Sequence, residues 1–391
     1  MDGITISMPT RGRRTATMLF ATLIILSHFV FFTSAQTTGQ TDQIWVDQNS
    51  GYNQAIFWDI DFVNNTHGWV IGQSSDGLGN GIILSTVDGG DTWVTRFSDS
   101  SQWFNQLTIS SPNSIWIAGM AILANSRDGG ITWNYVEFEN VTSLFTTVGF
   151  ANSSHGWAST NQQLFRTFDA GVTWNVCTEW TYQDTIRRIY FHTPEIMDVI
   201  GFYGIYHSED GGMSWQLVFD KGGWALAFAS RNVGWAVADN MLAETRTATS
   251  WEETPVPSNS PIPGFRKPYL TDVQFIDDTT GWIVGSQTAV IHTVDGGISW
   301  YSQGVDIGLS RLMSVDFLNA THGWASGYNG RILHTERGDV LVSRLWRGMG
   351  DPVFLTIIGA LSLVVVTVIG GVIYRKRKGE SKPAQLEASE K

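Results

Sequence analysis

The chain has 391 residues, a formal net charge of -12, 13% aromatic and 15% charged residues, and 41 glycines. That acidity argues against nucleic acid as a partner for the bulk of the chain, and a single cysteine, Cys177, excludes an intramolecular disulfide. Stability outside a reducing compartment would then rest on packing and closure of the fold, while abundant aromatics and glycines point to short strands and tight turns.

At the N-terminus, RGRR (Arg11 to Arg14) precedes the apolar run from Met18 to Ala35, which ends in Thr33-Ser34-Ala35. A basic start, an apolar middle and a small-residue exit form a secretory signal over residues 1–35. Left uncleaved, the same segment would be a signal anchor, since its apolar run is near the lower length for a span. Next comes IWVDQ (Ile44 to Gln48), which reads as a fourth strand without a preceding third.

The following segment shows one complete unit. AIFWDIDF (Ala55 to Phe62) is a first strand, NNTHG a turn and WVIGQ a short second strand. GIILSTV (Gly81 to Val87) is a third strand, DGGD a turn and TWVTRF (Thr92 to Phe97) a fourth. Alternating apolar residues between turn formers support each assignment. NNTHGWVIG then recurs as NSSHGWAST, RNVGWAVAD, DTTGWIVGS and NATHGWASG, and more loosely as NSIWIAG and MDVIGFYG. Seven units with a period near 40 residues, each rich in strand formers, are the mark of propeller blades. The predicted fold is therefore an all-β, seven-bladed propeller of four-stranded antiparallel blades, followed by one C-terminal transmembrane helix. Closure requires the last blade to be pinned to the first. Residues 44–47 are expected to pair into the final blade; Val340 to Trp346 would otherwise fill that place or add an outer strand.

Val353 to Ile373 is an uncharged apolar run long enough to cross a bilayer, and Arg375, Lys376, Arg377 and Lys378 follow it. The positive-inside rule leaves those four residues in the cytoplasm. The expected organisation is a signal at 1–35, a propeller ectodomain at 36–346, a membrane helix at 352–374 and a cytoplasmic tail at 375–391. This places a single-pass protein in the cell membrane with its propeller outside. Sequons at Asn64, Asn140, Asn152 and Asn319 are candidate N-glycosylation sites on such a domain.

A second signature marks the hairpin between strands three and four: STVDGGDTW, NSRDGGITW, RTFDAGVTW, HSEDGGMSW and HTVDGGISW. These match the Asp-box, or BNR repeat, Ser/Thr-x-Asp-x-Gly-x-Thr/Ser-Trp. The copies carry Asp88, Gly90 and Trp93; Asp128, Gly130 and Trp133; Asp169, Gly171 and Trp174; Asp210, Gly212 and Trp215; and Asp295, Gly297 and Trp300. A short carboxylate accepts the N–H groups a tight turn leaves unpaired, glycine supplies the positive φ, and the indole buries apolar area. These residues read as structural. ETRTATSW, ending at Trp251, is a degenerate copy with Arg246 at the aspartate position, and HTERGD in the last unit has no matching turn.

DFVNNTHGWVIG, QFIDDTTGWIVG and DFLNATHGWASG, together with the Asp-boxes, resemble the photosystem II stability/assembly factor family of propellers over residues 44 to 345. The resemblance implies a non-enzymatic protein that binds a membrane protein during assembly through an arginine patch on one propeller surface. Arg187 and Arg188, in TIRRIYF, match that patch and are the candidate partner-binding residues. A protein partner is expected, with a glycan as the second option; no nucleic acid, cofactor or metal is implied, since no zinc spacing and no Walker or dinucleotide glycine pattern occurs.

Other classes also use Asp-box propellers. A sialidase- or xyloglucanase-like glycoside hydrolase needs converging carboxylates, for which Asp184, Glu195, Asp239 and Asp272 are the candidates. GFRKP (Gly264 to Pro268) only weakly echoes the sialidase Phe-Arg-Ile-Pro element. Sortilin-like receptors carry larger propellers and cysteine-rich modules, which one cysteine does not supply. The proline-rich stretch from Thr254 to Pro268 reads equally as a linker between blades five and six or as a contact loop.

Overall fold

In a computed structural model of the chain, the described residues are 44–345 apart from 75–78, 100–101, 112, 139–142, 240, 257–268, 287–289, 304, 306–309 and 341–342. The expected signal, membrane helix and tail, Asn140, and most of the proline-rich stretch lie outside them. Among the described residues no helix is long and apolar enough to cross a membrane.

The described residues fold as a seven-bladed β-propeller. Strand β1 (Val46–Gln48) comes first, and blade one follows as β2 (Ala55–Phe62), β3 (Gly68–Ser74), β4 (Gly81–Thr86) and β5 (Val94–Asp99). Blade two is β6 (Phe104–Ser111), β7 (Ser114–Gly119), β8 (Ile122–Ser126) and β9 (Asn134–Tyr135). Blade three is β10 (Phe145–Phe150), β11 (Gly156–Thr160), β12 (Leu164–Thr167) and β13 (Asn175–Val176). Blade four is β14 (Ile186–Phe191), β15 (Met197–Gly201), β16 (Ile205–Ser208) and β17 (Gln216–Phe219). Blade five is β18 (Ala225–Ser230), β19 (Val233–Ala238), β20 (Met241–Thr245) and β21 (Trp251–Thr254). Blade six is β22 (Leu270–Phe275), β23 (Gly281–Gly285), β24 (Val290–Thr293) and β25 (Trp300–Ser302), and blade seven is β26 (Leu312–Phe317), β27 (Gly323–Gly327) and β28 (Ile332–Thr335). A last strand, β29 (Ser343–Leu345), returns to blade six.

Both closure alternatives are realised, by different segments. β1 is the fourth strand of blade seven, with Val46 opposite His334 and Gln48 opposite Ile332. β29 adds a fifth, outer strand to blade six. The paired residues are 46–48 rather than 44–47, because Trp45 has a separate role.

That role follows from the aromatic packing. In blade one the strand-one phenylalanine, Phe62, meets the Asp-box Trp93 edge-on at 6.0 Å and stacks flat on Trp324 of blade seven at 3.6 Å. In blade seven Phe317 meets Trp45 edge-on at 5.6 Å and stacks on Trp282 of blade six at 3.5 Å. Trp45 is thus the Asp-box tryptophan of blade seven, delivered from the other end of the chain. Its indole N–H donates to buried Gln303 at 3.0 Å.

The Gly-Trp element has the same origin. A Cβ on Gly68, Gly156, Gly234, Gly281 or Gly323 would lie 2.4–2.6 Å from the ring of the phenylalanine on strand one of its own blade. The tryptophan that follows reaches the next blade's Asp-box: the indole N–H groups of Trp69, Trp235 and Trp324 donate to the carbonyls of Gly129, Gly296 and Gly89. Six tryptophans, Trp116, Trp157, Trp235, Trp282, Trp300 and Trp324, are among the largest fully buried side chains. The hydrophobic core therefore lies between blades, which explains how seven sheets cohere without disulfides.

Candidate functional site: the channel mouth

The Asp-box aspartates are occupied within their own turns. Asp88 accepts from the Thr92 backbone N–H at 2.9 Å, from the Thr92 hydroxyl at 2.6 Å and from the Thr86 hydroxyl at 2.7 Å. Asp128, Asp169, Asp210 and Asp295 repeat the pattern. The hydroxyl bonds from Thr92, Thr132 and Thr173, foremost among these contacts, hold Asp88, Asp128 and Asp169 down at about 2. Gly90, Gly130, Gly171, Gly212 and Gly297 all have positive φ. A Cβ on Gly171 would also strike Trp116 of blade two at 2.2 Å. The preceding position is less restricted, since Ala170 holds φ 61 there.

The degenerate copy in blade five requires a correction. Thr247, not Arg246, occupies the aspartate position. Its N–H donates to Thr245 Oγ1, and Ala248 N donates to Asn232 O, as Asp88 and Gly89 do in blade one. The loop is one residue shorter, so aligning on the tryptophan displaces the register. In the last unit part of the turn survives: Arg337 N donates to Thr335 Oγ1 and Gly338 N to Thr321 O.

The sequons of Asn64, Asn152 and Asn319 fall in the turn between strands one and two. Each carboxamide oxygen accepts from the N–H groups two and three residues on. Asp277 does the same in blade six, where no sequon exists. These turns and the Asp-boxes occupy one rim of the propeller; the loops joining strands two to three and four to one occupy the opposite face.

On that opposite face the first strand of six blades carries a bulge near its start, inserting Trp58, Asn105, Thr146, Arg187, Thr271 and Met313 at the channel mouth. Asn105, Thr146 and Thr271 bond a carbonyl of the neighbouring blade's first strand. The bulge also separates the two predicted arginines, because an extra residue changes which way its neighbours point. Arg188 pairs with buried Asp59 across the ring at 3.2 Å. Burial works against its charge, but Asp59 and Asp272 outweigh it and raise its pKa.

Arg187 remains at the mouth, with its guanidinium carbon 3.6 Å from the ring centroids of both Phe202 and Trp224. Trp224 Nε1 donates to Asp239 at 2.7 Å, Arg311 pairs with the same carboxylate at 3.2 Å, and Arg311 lies over Tyr269. Burial lowers Arg187 to about 10, with Asp239 and Asp184 opposing, so it is cationic at neutral pH. The result is a belt of alternating cations and aromatics across blades four to seven. Phe202 and Tyr203 stand 52% and 70% exposed beside it.

The four carboxylates considered for glycoside hydrolysis do not form a converging pair. Asp184 accepts from the N–H groups of Phe202 and Tyr203 and from the Tyr206 hydroxyl, which builds the exposed aromatic turn. Asp239 belongs to the belt. Glu195 bonds Thr193 in the turn on the Asp-box rim. Asp272 lines the channel and accepts from Val315 N and the Ser314 hydroxyl. Asp59, Asp61 and Asp316 likewise accept from Leu107, Ile109 and Phe62 N–H groups of neighbouring blades. Burial pushes Asp272 and Asp316 up to about 6 and raises Asp61 well above the carboxylate range. The channel acids join blades. Among the described residues no group of three or more His, Cys, Asp or Glu is placed to hold a metal ion.

Repeat reading counted blade four through MDVIGFYG and HSEDGGMSW but missed what its second strand carries. There Asp198 replaces the strand-two tryptophan, fully buried between His192 and His207 at 2.9 Å each. Its signal was present as MDV in place of GWV. His292 and His334 instead lie flat on Trp282 and Trp324, their cross-strand partners. Cys177 is buried, and burial pushes its thiol up to about 12.

A propeller built from Asp-boxes and interblade Gly-Trp contacts is the class this geometry defines. The family model of Photosynthesis system II assembly factor YCF48 matches residues 38–142 and 243–389, and the chain belongs to that family. Arg187 and Arg188 fall between the matched segments. The Photosystem II assembly lipoprotein Ycf48 of Prochlorococcus marinus (strain NATL2A) is 45% identical over 47 residues, 11% of this chain and 14% of that protein's length. A solved YCF48 bound to D1 peptide superposes with a TM-score of 0.60 at 20% identity, covering 76% of this chain and 98% of that one. YCF48 from Cyanidioschyzon merolae gives 0.60 at 18% identity, covering 76% and 100%. At these identities the likeness is one of fold. Virginiamycin B lyase from Staphylococcus aureus, an enzyme, reaches 0.54 at 13% identity, covering 74% of this chain and 98% of that one.

Proposed function

We propose that this chain is a non-enzymatic assembly factor that holds a segment of a protein partner at the channel mouth. The observation carrying this is the belt around Arg187: a cation between two aromatic faces, flanked by the exposed rings of Phe202 and Tyr203. Exposed aromatics with an arginine are the composition of interface hot spots. The solved YCF48 is bound to D1 peptide, which supports a peptide segment as the ligand class here. The family resemblance makes a membrane protein the source of that segment. Arg188 then acts on the site only through the channel it braces.

The same proposal includes the outer-face, single-pass topology read from the sequence, with residues 352–374 in the membrane and the basic tail in the cytoplasm. Asn64, Asn152 and Asn319 serve their turns first, and the sequons follow from that requirement. A glycoside hydrolase is the poorer reading, because the candidate carboxylates are committed to backbone and side-chain donors.

Photo-crosslinking from position 203 in the full chain, in its native membranes, tests the site. A membrane-protein partner should be captured by the parent and lost in Arg187→Ala and Phe202→Ala variants of unchanged thermal stability. Undiminished capture by both variants would remove the belt from the mechanism.

A further inference from the structure

We infer that the propeller stands with its Asp-box rim against the lipid bilayer and its Arg187 face turned away from it. This rests on the C-terminal anchor proposed above. Two features lead to it.

The first is the direction in which the chain leaves the fold. β25 begins at the Asp-box tryptophan Trp300 and runs away from the rim. β29 lies antiparallel to it, with Ser343 opposite Ser302 and Leu345 opposite Trp300. The chain therefore heads for the Asp-box rim as it passes Leu345. Only residues 346–352 separate Leu345 from the apolar run that begins at Val353. Seven residues, fully extended, span at most about 25 Å. A blade strand of five to eight residues is itself roughly 17–26 Å long at the usual rise. From the rim the linker reaches the bilayer with slack, whereas bringing the opposite face there would use nearly all of its extended reach to run back along the blade.

The second feature is what the rim exposes. The variable positions of the Asp-boxes place Val87, Ile131, Val172, Met213 and Ile298 at the hairpin tips, from 51% to 68% exposed, with Phe168 beside them at 51%. These six residues belong to five blades. The tip carboxylates are committed to their own turns, so the ring presents apolar side chains interspersed with Asp91, Arg127 and Glu209. That mixture suits the headgroup boundary of a bilayer. The opposite face also exposes apolar groups, Met120, Phe202 and Tyr203. Exposure alone therefore does not choose a face; the direction of β29 does. With the rim at the membrane, the sequons of Asn64, Asn152 and Asn319 face lipid and stay unmodified, and the belt around Arg187 faces outward to a partner.

The test uses the full chain in phosphatidylcholine–phosphatidylglycerol vesicles. Single-cysteine variants Val172→Cys and Ile298→Cys on the rim, and Tyr203→Cys on the opposite face, carry an environment-sensitive fluorophore. Buried Cys177 does not compete for the label. The rim labels should shift to the blue and lose emission to spin-labelled lipids, while the label at 203 does neither. Unquenched rim labels on a chain that resists alkaline carbonate extraction, preferential quenching at 203, or a native glycan on Asn64, Asn152 or Asn319 would overturn the orientation and leave the anchor standing. Release of the chain by carbonate would overturn the anchor, and the orientation with it.

Discussion

Replacing Trp45 with alanine is the sharpest test of how the ring closes. The side chain is 5% exposed, meets Phe317 edge-on, and donates to Gln303. Truncating a buried aromatic to alanine costs about 3–5 kcal/mol. Leaving the Gln303 oxygen without its donor costs about 1–3 kcal/mol, which partly overlaps the first figure. At about 2.1 cal/mol/K per residue, a propeller of roughly 300 residues shifts its midpoint by about 1.6 °C per kcal/mol, so Trp45→Ala should lower Tm by about 5–8 °C. Arg331→Ala is the control. It removes the ion pair to Asp47 on the same closing strand, whose partners are 30% and 47% exposed. Pairs so exposed contribute at most about 1 kcal/mol. Differential scanning fluorimetry or calorimetry reads both. If Trp45→Ala falls no further than Arg331→Ala, Trp45 is not part of the closure, and the split Asp-box of blade seven is wrong.

Gly323→Ala would bring a Cβ to 2.4 Å from Phe317, whose ring is held against Trp282 at 3.5 Å; overpacking of this kind costs about 1–3 kcal/mol, read as a Tm loss. Asp88, Asp128 and Asp169 give an acid limb to stability. Their folded pKa of about 2 lies below the unfolded value of about 3.9, so their contribution is complete above about pH 4 and lost as pH falls towards 2. An Asp88→Asn, Asp128→Asn, Asp169→Asn triple variant should show a shallower fall of Tm across that window. His292 acts at higher pH: burial lowers it to about 4, neither ring nitrogen has a partner among the described residues, and its unfolded value is about 6.5. Below that value the unfolded chain binds the proton first, so stability declines from about pH 6.5 towards 4, and His292→Phe should flatten that decline in a pH series of melting curves.

Blade count, strand order and the Asp-box aspartates were legible because each depends on contacts within a few tens of residues. Asp88 needs only Thr86 and Thr92, and any unit that keeps those positions keeps the turn. The displaced register of blade five was not legible, because a one-residue deletion leaves Trp251 in place while moving Thr247 under the turn. Nor was the divergence of Arg187 and Arg188. Strand alternation puts neighbours on opposite sides, but the bulge decides which of them reaches Asp59 and which lies between Phe202 and Trp224. Asp198 was visible only as the loss of a tryptophan; the two histidines that make its burial tolerable come from β14's end and from β16.

By itself the amino-acid sequence determined the repeating unit, since hairpin hydrogen bonds and a fixed aromatic spacing are local and recur every turn of the ring. Only the tertiary structure decided how the ring shuts, because Trp45 and Gln303 stand 258 positions apart and Ser50 and Gly330 stand 280 apart. No local propensity reports contacts at that separation. They form once seven blades have curved far enough round for the first strand to meet the last.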